Sequence, residues 1–238
     1  MNLVLDIGNS TIKGAVFDHS TVVYHWVSRD LEMGLLSSVL AKYNVEQAII
    51  SSTRLPNLPL QEYLSTALGR VLVLDSHTAI PLKNRYATPE TLGPDRLAAA
   101  VGAYDAAPGK ELLIFDFGTA LTIDRVSAQG EFLGGNISLG LSTRFAALHS
   151  QTAKLPLCSL DTQALHGYGS STFEAIQKGV MQSVRYEIEG YISENDDKIV
   201  FFTGADAIYF VESLKNTIFV DCELVSKGLN RILEYNAQ

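Results

Sequence analysis

The hydrophobic positions of the chain follow two periods, and these periods predict which segments are strands and which are helices. Continuous apolar runs rich in β-branched residues predict strands, whereas apolar residues three to four positions apart predict helices. In the first half the pattern predicts two strands within residues 2–17 joined by a glycine-containing turn, a strand at 21–27, a helix at 31–43, a strand at 47–51, a helix at 58–68, a strand at 70–74, an irregular segment at 75–92 and an alanine-rich helix opening at Asp95. A three-stranded meander is therefore followed by alternating helices and strands.

The second half repeats this order of elements. Its pattern predicts a strand at 111–115, a hairpin of strands at 121–126 and 131–133, a helix at 141–151, a loop at 155–169, a long helix at 171–191, a strand at 199–203, a helix at 206–214, a strand at 217–220 and a helix at 223–235. The repetition predicts an α/β protein with two domains, residues 1–109 and 110–238. No low-complexity linker separates the halves, so we expect them to share an interface and close around a cleft.

One short turn occurs in both halves at the end of an apolar strand. Asp6 and Gly8 recur 110 positions later as Asp116 and Gly118. Glycine lets the backbone reverse, and the small hydroxyl and amide residues that follow can donate to an anion together with backbone N–H groups. Two such turns facing each other would hold a metal ion and the phosphates of one nucleotide between them. An ordinary turn, for which Asp and Gly are common residues, is the alternative for each copy.

Composition narrows the class of protein. With 238 residues, 47% of them hydrophobic, the chain can bury a substantial core, and its net charge of −8 argues against nucleic acid or an anionic membrane as a general partner. Cys158 and Cys222 cannot form a disulfide framework, and the five histidines show no paired ligand spacing. No basic leader or apolar run of membrane-spanning length is present, so we expect a cytoplasmic protein.

Four motifs in this order give the chain a family resemblance that extends over nearly its whole length. They are Asp6-x-Gly8-Asn9-Ser10, Gly93-Pro94-Asp95-Arg96, Asp116-x-Gly118-Thr119-Ala120 and Gly134-Gly135-Asn136-Ile137. Together they resemble the type III pantothenate kinases, of the acetate and sugar kinase, heat-shock chaperone and actin superfamily. The resemblance implies two duplicated ribonuclease-H-like domains, with mixed sheets flanked by helices and an inter-domain cleft.

The same resemblance implies an activity and its partners. Members of the family use ATP to phosphorylate pantothenate to 4'-phosphopantothenate, the first step towards coenzyme A. It implies a divalent cation, magnesium, with the ATP, a monovalent cation, potassium or ammonium, and a homodimer with pantothenate near the subunit boundary. A kinase for a sugar or another small hydroxylated metabolite, and a nucleotide-sensing regulator without turnover, are the alternatives, because this fold serves many functions.

By resemblance, residues 6–13 form the phosphate loop for ATP. The expected contacts are Asp6, Gly8, Asn9, Ser10, Thr11 and Lys13, with Asp6 also binding the metal ion. Gly8 would permit close approach of the phosphates, and Lys13 offers a cation to them. Lys13 also fits a lysine that simply faces solvent.

Asp95 is the expected catalytic residue. A carboxylate near a helix N-terminus stays ionised and can accept a hydrogen bond from the substrate hydroxyl. Arg96 can form a two-pronged pair with the carboxylate of pantothenate, and Gly93 and Pro94 complete the expected substrate segment. The alternatives are a helix N-cap for Asp95 and a structural ion pair for Arg96.

The remaining expected contacts rest on the resemblance. It places the monovalent cation on Asp116, an ATP contact on Thr119 and pantothenate contacts on Tyr86 and Thr172. Tyr86 also fits a partly packed aromatic residue, and Thr172 a helix cap within Ser170-Ser171-Thr172. Relatives tend to have glycine where Ala205 stands, which bears on the approach of adenosine.

Overall fold

The structure, a computed structural model, describes residues 1–160, 165–214 and 217–237. Its contacts divide the chain into two compact units. The first unit comprises Met1–Gly109, Ser127–Leu133 and Glu223–Gln238, and the second comprises Lys110–Val126 and Gly134–Cys222. The structure differs from two contiguous halves, because a short hairpin segment and the C-terminal segment belong to the first unit.

The elements alternate along the chain much as the hydrophobic pattern predicts. The strands are β1 (Asn2–Ile7), β2 (Ile12–Asp18), β3 (Thr21–Ser28), β4 (Gln47–Ser52), β5 (Arg70–Val73), β6 (Lys83–Asn84), β7 (Leu112–Phe117), β8 (Ala120–Val126), β9 (Glu131–Leu139), β10 (Ile199–Gly204) and β11 (Ile218–Val220). The helices are α1 (Met33–Lys42), α2 (Leu58–Ala67), α3 (Pro94–Ala106), α4 (Leu141–Ser150), α5 (Thr172–Ser193), α6 (Ile208–Val211) and α7 (Leu224–Tyr235), with a 3₁₀ turn at Pro89–Thr91.

The first unit is built on a sheet with the strand order β3-β2-β1-β4-β5. β1 pairs antiparallel with β2 and parallel with β4, and every residue of β1 is buried. A central strand covered on both faces requires the continuous apolar run that begins at Leu3. The parallel pairing brings the ends of β1 and β4 to the same edge, where Asp6 is level with Ser51.

Close packing on α3 explains why α7 belongs to the first unit. A Cβ atom on Gly228 would collide with the backbone oxygen of Ala98, and one on Gly102 with that of Leu224. Glycine at both positions therefore lets the two helix backbones approach closely. The side chain of Asn230 also hydrogen bonds to Asn2 of β1, at 2.8 Å. These long-range contacts, absent from any local pattern, place the C-terminal helix with the N-terminal sheet.

The second unit repeats the plan of the first. β7 pairs antiparallel with β8 and parallel with β10, which pairs parallel with β11. The order of its strands is β11-β10-β7-β8-β9. The buried side of the long helix α5 packs in the same core as Phe115, Phe117 and Phe202. The predicted α/β fold, with two duplicated mixed sheets flanked by helices, is confirmed.

Several element bounds differ from the prediction for tertiary reasons. β9 continues to Leu139, so Gly134 and Gly135 lie inside a strand, and a Cβ on Gly135 would collide with Ile123 of β8. α6 is shorter than the predicted helix at 206–214. The irregular segment at 75–92 contains β6, whose partner is the start of β9. Within the predicted loop at 155–169, residues 161–164 lie outside the described residues.

No helix in the described part of the chain is long and apolar enough to cross a membrane.

Candidate active site

The turn between β1 and β2 has the tight geometry that the Asp-x-Gly motif predicts. The N–H of Gly8 donates to the carbonyl of Thr11 at 3.0 Å, closing the turn. Asp6, at the end of β1, is level with Lys13 on β2. Asn9 and Ser10 are exposed at the tip. The loop therefore exposes small polar residues to solvent, while Asp6 on the preceding strand is buried.

Asp6 is a buried carboxylate, only 8% exposed. Burial, followed by the negative charge of Asp95, raises its pKa from the ordinary value of 3.8 to about 6, although Lys13 and the hydroxyl of Ser51 act in the opposite direction. Ser51 Oγ donates to Asp6 Oδ1 at 3.2 Å. Asp6 and Asp95, far apart in sequence, thus belong to one electrostatic cluster. Such a cluster favours a bound cation, because a cation lowers the cost of ionising both groups.

The N-terminus of α3 presents Asp95. Gly93 is the N-cap, Pro94 follows it, and Asp95 lies in the first turn, so the alternative of Asp95 as the N-cap is wrong. Asp95 Oδ1 accepts a hydrogen bond from the N–H of Arg96 at 2.8 Å. A Cβ atom on Gly93 would collide with that same carboxylate oxygen. Glycine at this position therefore leaves room for the orientation of the Asp95 side chain.

Arg96 is buried among aromatic rings, with 5% of its surface exposed. Its Cζ lies 5.5 Å from the ring centre of Tyr86 and 5.9 Å from that of Phe132. The two ring centres are 6.2 Å apart. The structure therefore brings together Tyr86 and Arg96, both expected at the substrate site, and adds Phe132.

The sequence analysis missed three residues that contact this region. Ser51 could have been found from its position at the end of the strand predicted at residues 47–51. Arg54 follows the same strand and donates from Nε to the carbonyl of Gly8 at 2.7 Å and from Nη2 to that of Asn9 at 3.1 Å. No local signal distinguished Arg54, or Phe132, from an ordinary surface or core residue.

The equivalent turn of the second unit carries Asp116. Asp116 is half-buried at the end of β7, level with Thr203 of β10. A Cβ atom on Gly204, which has a φ of +88°, would lie 2.7 Å from Asp116 Oδ1. Within the described residues, the buried hydroxyl of Thr203 has no hydrogen-bonding partner. An oxygen ligand without a partner beside a carboxylate is suited to a hard cation.

Thr119 and Thr172 also lie in the second unit. Thr119 is exposed, and its carbonyl accepts hydrogen bonds from the N–H of Gly140 at 3.1 Å and from Thr143 Oγ1 at 2.7 Å. Thr172 is the first residue of α5, and the cap is Ser171, whose hydroxyl accepts from the N–H of Glu174 at 3.3 Å. The hydroxyl of Thr172 therefore does not serve as the N-cap. Thr172 lines a groove of about 750 Å³ between α4 and α5.

The expected site residues thus divide into two groups. The first unit holds the phosphate loop and substrate segment, namely Asp6, Gly8, Asn9, Ser10, Thr11, Lys13, Tyr86, Gly93, Pro94, Asp95 and Arg96, and the second holds Asp116, Thr119 and Thr172. Each group lies at the strand edge and helix N-termini where α/β folds commonly bind ligands.

Comparison with known proteins gives the family. The model of the type III pantothenate kinase family matches residues 2–194. The chain belongs to the type III pantothenate kinase family. A member from Bacteroides fragilis strain YCH46 is 43% identical, over 99% of this chain and 98% of that protein. One from Porphyromonas gingivalis strain W83 is 40% identical, over 99% and 98%.

Solved structures support the fold. A Campylobacter jejuni protein described as a candidate Baf family transcriptional activator has a TM-score of 0.63 and 21% identity, over 99% of this chain and 98% of that one. A Sinorhizobium meliloti protein described as a candidate 2-dehydro-3-deoxygalactonokinase has a TM-score of 0.64 and 14% identity, over 99% of both chains. At these identities the likeness shows the shared architecture alone.

Proposed function

We propose that this chain phosphorylates the primary hydroxyl of pantothenate with ATP, giving 4'-phosphopantothenate, the first step of coenzyme A biosynthesis. The full-length similarity to relatives named type III pantothenate kinase supports this proposal. The observation that carries it is the arrangement of Asp95 and Arg96 in the first turn of α3, where the charge of Asp95 acts on the buried Asp6 of β1. This arrangement joins a cation-binding carboxylate, a hydroxyl-orienting carboxylate and a group that recognises carboxylates.

Asp95 acts on the substrate hydroxyl. Its carboxylate accepts the hydroxyl hydrogen bond and directs that oxygen at the γ-phosphorus of ATP. Phosphoryl transfer passes through a loose transition state that requires little prior deprotonation, so orientation matters more than basicity. The N–H of Arg96 donates to Asp95 Oδ1 and holds this carboxylate in place at the N-terminus of α3.

The first turn holds the nucleotide phosphates. The backbone and side chains of Gly8, Asn9, Ser10 and Thr11 donate to the phosphate oxygens, and Lys13 contributes positive charge near Asp6. Asp6 would hold a divalent cation, magnesium, whose charge neutralises the phosphates when it is bound. The raised pKa of Asp6 fits this role, since the carboxylate lacks sufficient positive charge from the protein alone.

The second turn contributes a monovalent cation site. Asp116 and the buried hydroxyl of Thr203 would hold potassium or ammonium, and Thr119 would contact ATP. Gly204 leaves space beside the Asp116 carboxylate. Ala205 follows it where relatives tend to have glycine, so its methyl group is a determinant of adenosine affinity.

Pantothenate binds through its carboxylate and its hydroxyl end. Arg96 pairs with the carboxylate, and Tyr86, Gly93, Pro94 and Thr172 form the surrounding contacts. Thr172 lines an apolar groove that includes Leu148 and Val180. A second copy of the chain would cover such a groove, which supports a homodimer. The cytoplasm, which supplies ATP, is the proposed compartment.

A coupled assay of ADP release tests the function. Pantothenate should release ADP at a rate far above that of a panel of sugars, and mass spectrometry should detect 4'-phosphopantothenate. Faster turnover of a sugar would assign the chain to another small-metabolite kinase. Nucleotide binding without turnover of any acceptor would favour a sensor.

A further inference from the structure

We infer that Phe132 is a positioning residue that orients Arg96 for the carboxylate of the substrate. This inference rests on the proposed function, which assigns pantothenate as the acceptor. Phe132 itself is fully buried and cannot touch the substrate. It acts through Arg96, whose guanidinium lies against its ring.

The geometry around Arg96 restrains the plane of its guanidinium. Tyr86 and Phe132 each place a ring centre within 6 Å of its Cζ, and these rings are tilted by 52° relative to each other. A cation over aromatic faces is attracted by the ring quadrupole, most strongly where water is excluded. The N–H donors in the guanidinium plane can then pair with a carboxylate in the two-pronged geometry that arginine provides. A freely rotating guanidinium would lose much of that specificity.

The pairing of β9 with β6 brings Phe132 to this position. β6 and β9 pair in parallel, with Asn84 level with Phe132. The N–H of Arg85 donates to the carbonyl of Phe132 at 3.0 Å, and the N–H of Lys83 donates to that of Gly130 at 2.8 Å. Tyr86 lies two residues after the end of β6, so the same pairing sets the positions of both aromatic residues.

Charged side chains reinforce this pairing at the surface. Glu131 Oε1 accepts from Arg85 Nη2 at 2.6 Å and from Nε at 3.0 Å, and Lys83 Nζ lies 3.6 Å away. These exposed contacts contribute modestly to stability, but they favour a single register. The register places Phe132 beside Arg96 while Glu131 faces the basic side chains of the neighbouring strand.

The test replaces the aromatic ring and measures recognition of the carboxylate. Phe132→Leu removes the ring, and Phe132→Met removes it with an unbranched, flexible side chain that can fill an irregular space, should the first variant fold poorly. Phe17→Leu is the matched control, since Phe17 is also fully buried in the first unit but lies on β2. For each chain, calorimetry gives the dissociation constants of pantothenate and of its neutral carboxamide, and steady-state kinetics give kcat and both KM values.

We expect loss of the ring to weaken pantothenate binding by about tenfold, in both Kd and KM. The Kd of the carboxamide, the KM for ATP and kcat should stay within about twofold, because the lost interaction concerns the carboxylate. The preference for carboxylate over carboxamide should fall by the same factor of about ten. Phe17→Leu should lower the thermal unfolding temperature and leave that preference unchanged.

Three results have distinct meanings. An unchanged preference in the Phe132 variants, with wild-type turnover of pantothenate, would overturn the positioning role and leave the proposed function standing. An equal loss of preference in Phe17→Leu would also overturn it, because general destabilisation would then be the cause. Absence of pantothenate turnover in the wild-type chain would overturn the proposed function, and this inference with it.

Discussion

Burial, followed by the negative charge of Asp95, raises the pKa of Asp6, so the end of β1 is linked electrostatically to the first turn of α3. The two carboxylates lie 89 positions apart in the sequence. Because Asp6 is buried and lies near the charge of Asp95, its ionised form is unfavourable in the absence of a bound cation. Binding of a divalent cation would relieve this cost, so stability and ligand binding should be linked at Asp6.

Asp6→Asn should stabilise the chain at pH 7.5 in the absence of nucleotide and divalent cations. Because folding raises the pKa of Asp6 from 3.8 to about 6, ionisation costs folded stability as the pH rises through this window, by about 3 kcal/mol. The advantage of the variant should therefore disappear as the pH falls towards 4. Urea unfolding at pH 4 and pH 7.5 measures the difference in free energy of unfolding between the variant and the wild type. Asp30→Asn, at an exposed position, is the control. Equal stability of variant and wild type at pH 7.5 would contradict the shift.

Asp95→Asn should lower kcat by about 10²- to 10⁴-fold, because the neutral amide orients the substrate hydroxyl poorly. Pantothenate binding, measured by calorimetry, should persist. Asp105→Asn is a matched control on the same helix, at an exposed position paired with Arg231. Near-normal kcat in Asp95→Asn would remove this residue from the catalytic role.

Gly93→Ala should reduce turnover by about 10- to 100-fold, because the new Cβ displaces the Asp95 carboxylate. The loss of stability should be small, about 1 kcal/mol, since alanine is a poorer N-cap than glycine. Gly34→Ala serves as control, because a Cβ there enters open space on α1. If turnover were kept at wild-type level, the Asp95 orientation would not depend on this glycine.

Arg54→Ala should raise the KM for ATP by roughly three- to tenfold, because the variant loses the hydrogen bonds from Arg54 to the carbonyls of Gly8 and Asn9. The KM for pantothenate should change little. Arg29→Ala, also at an exposed position, should leave both constants unchanged. A rise in both KM values for Arg54→Ala would indicate a general disturbance instead of a role in the phosphate loop.

Potassium should support faster turnover than sodium at equal ionic strength, if Asp116 and Thr203 hold the cation. Asp116→Asn should lower the rate in potassium and narrow the difference between the two salts. Steady-state rates over a series of potassium concentrations measure this, with the exposed Asp196→Asn as control. Identical rates in the two salts for the wild-type chain would argue against the site.

Local patterns predicted most of the elements and both acidic turns. The β1 and β7 strands are continuous apolar runs that end on a carboxylate, and such runs are visible in a short window. α3 begins at Pro94, one residue before the predicted start at Asp95, since proline is favoured at the first position of a helix. The full length of β9 and the short length of α6 could not be predicted from local patterns. Strand pairing and packing with other parts of the chain decide where such elements end.

The sequence by itself determined the duplicated strand–turn–strand plan and the residues of the two Asp-x-Gly turns, because backbone geometry and hydrophobic periodicity act between near neighbours. Only the tertiary structure decided that α7 packs on α3 through Gly102 and Gly228, and that Phe132 lies against Arg96. It also decided that Asp6 is buried and near Asp95, and burial first and the charge of Asp95 second raise its pKa. Close packing and electrostatic interaction depend on distance in space. Local sequence patterns do not show which residues far apart in the chain come close together.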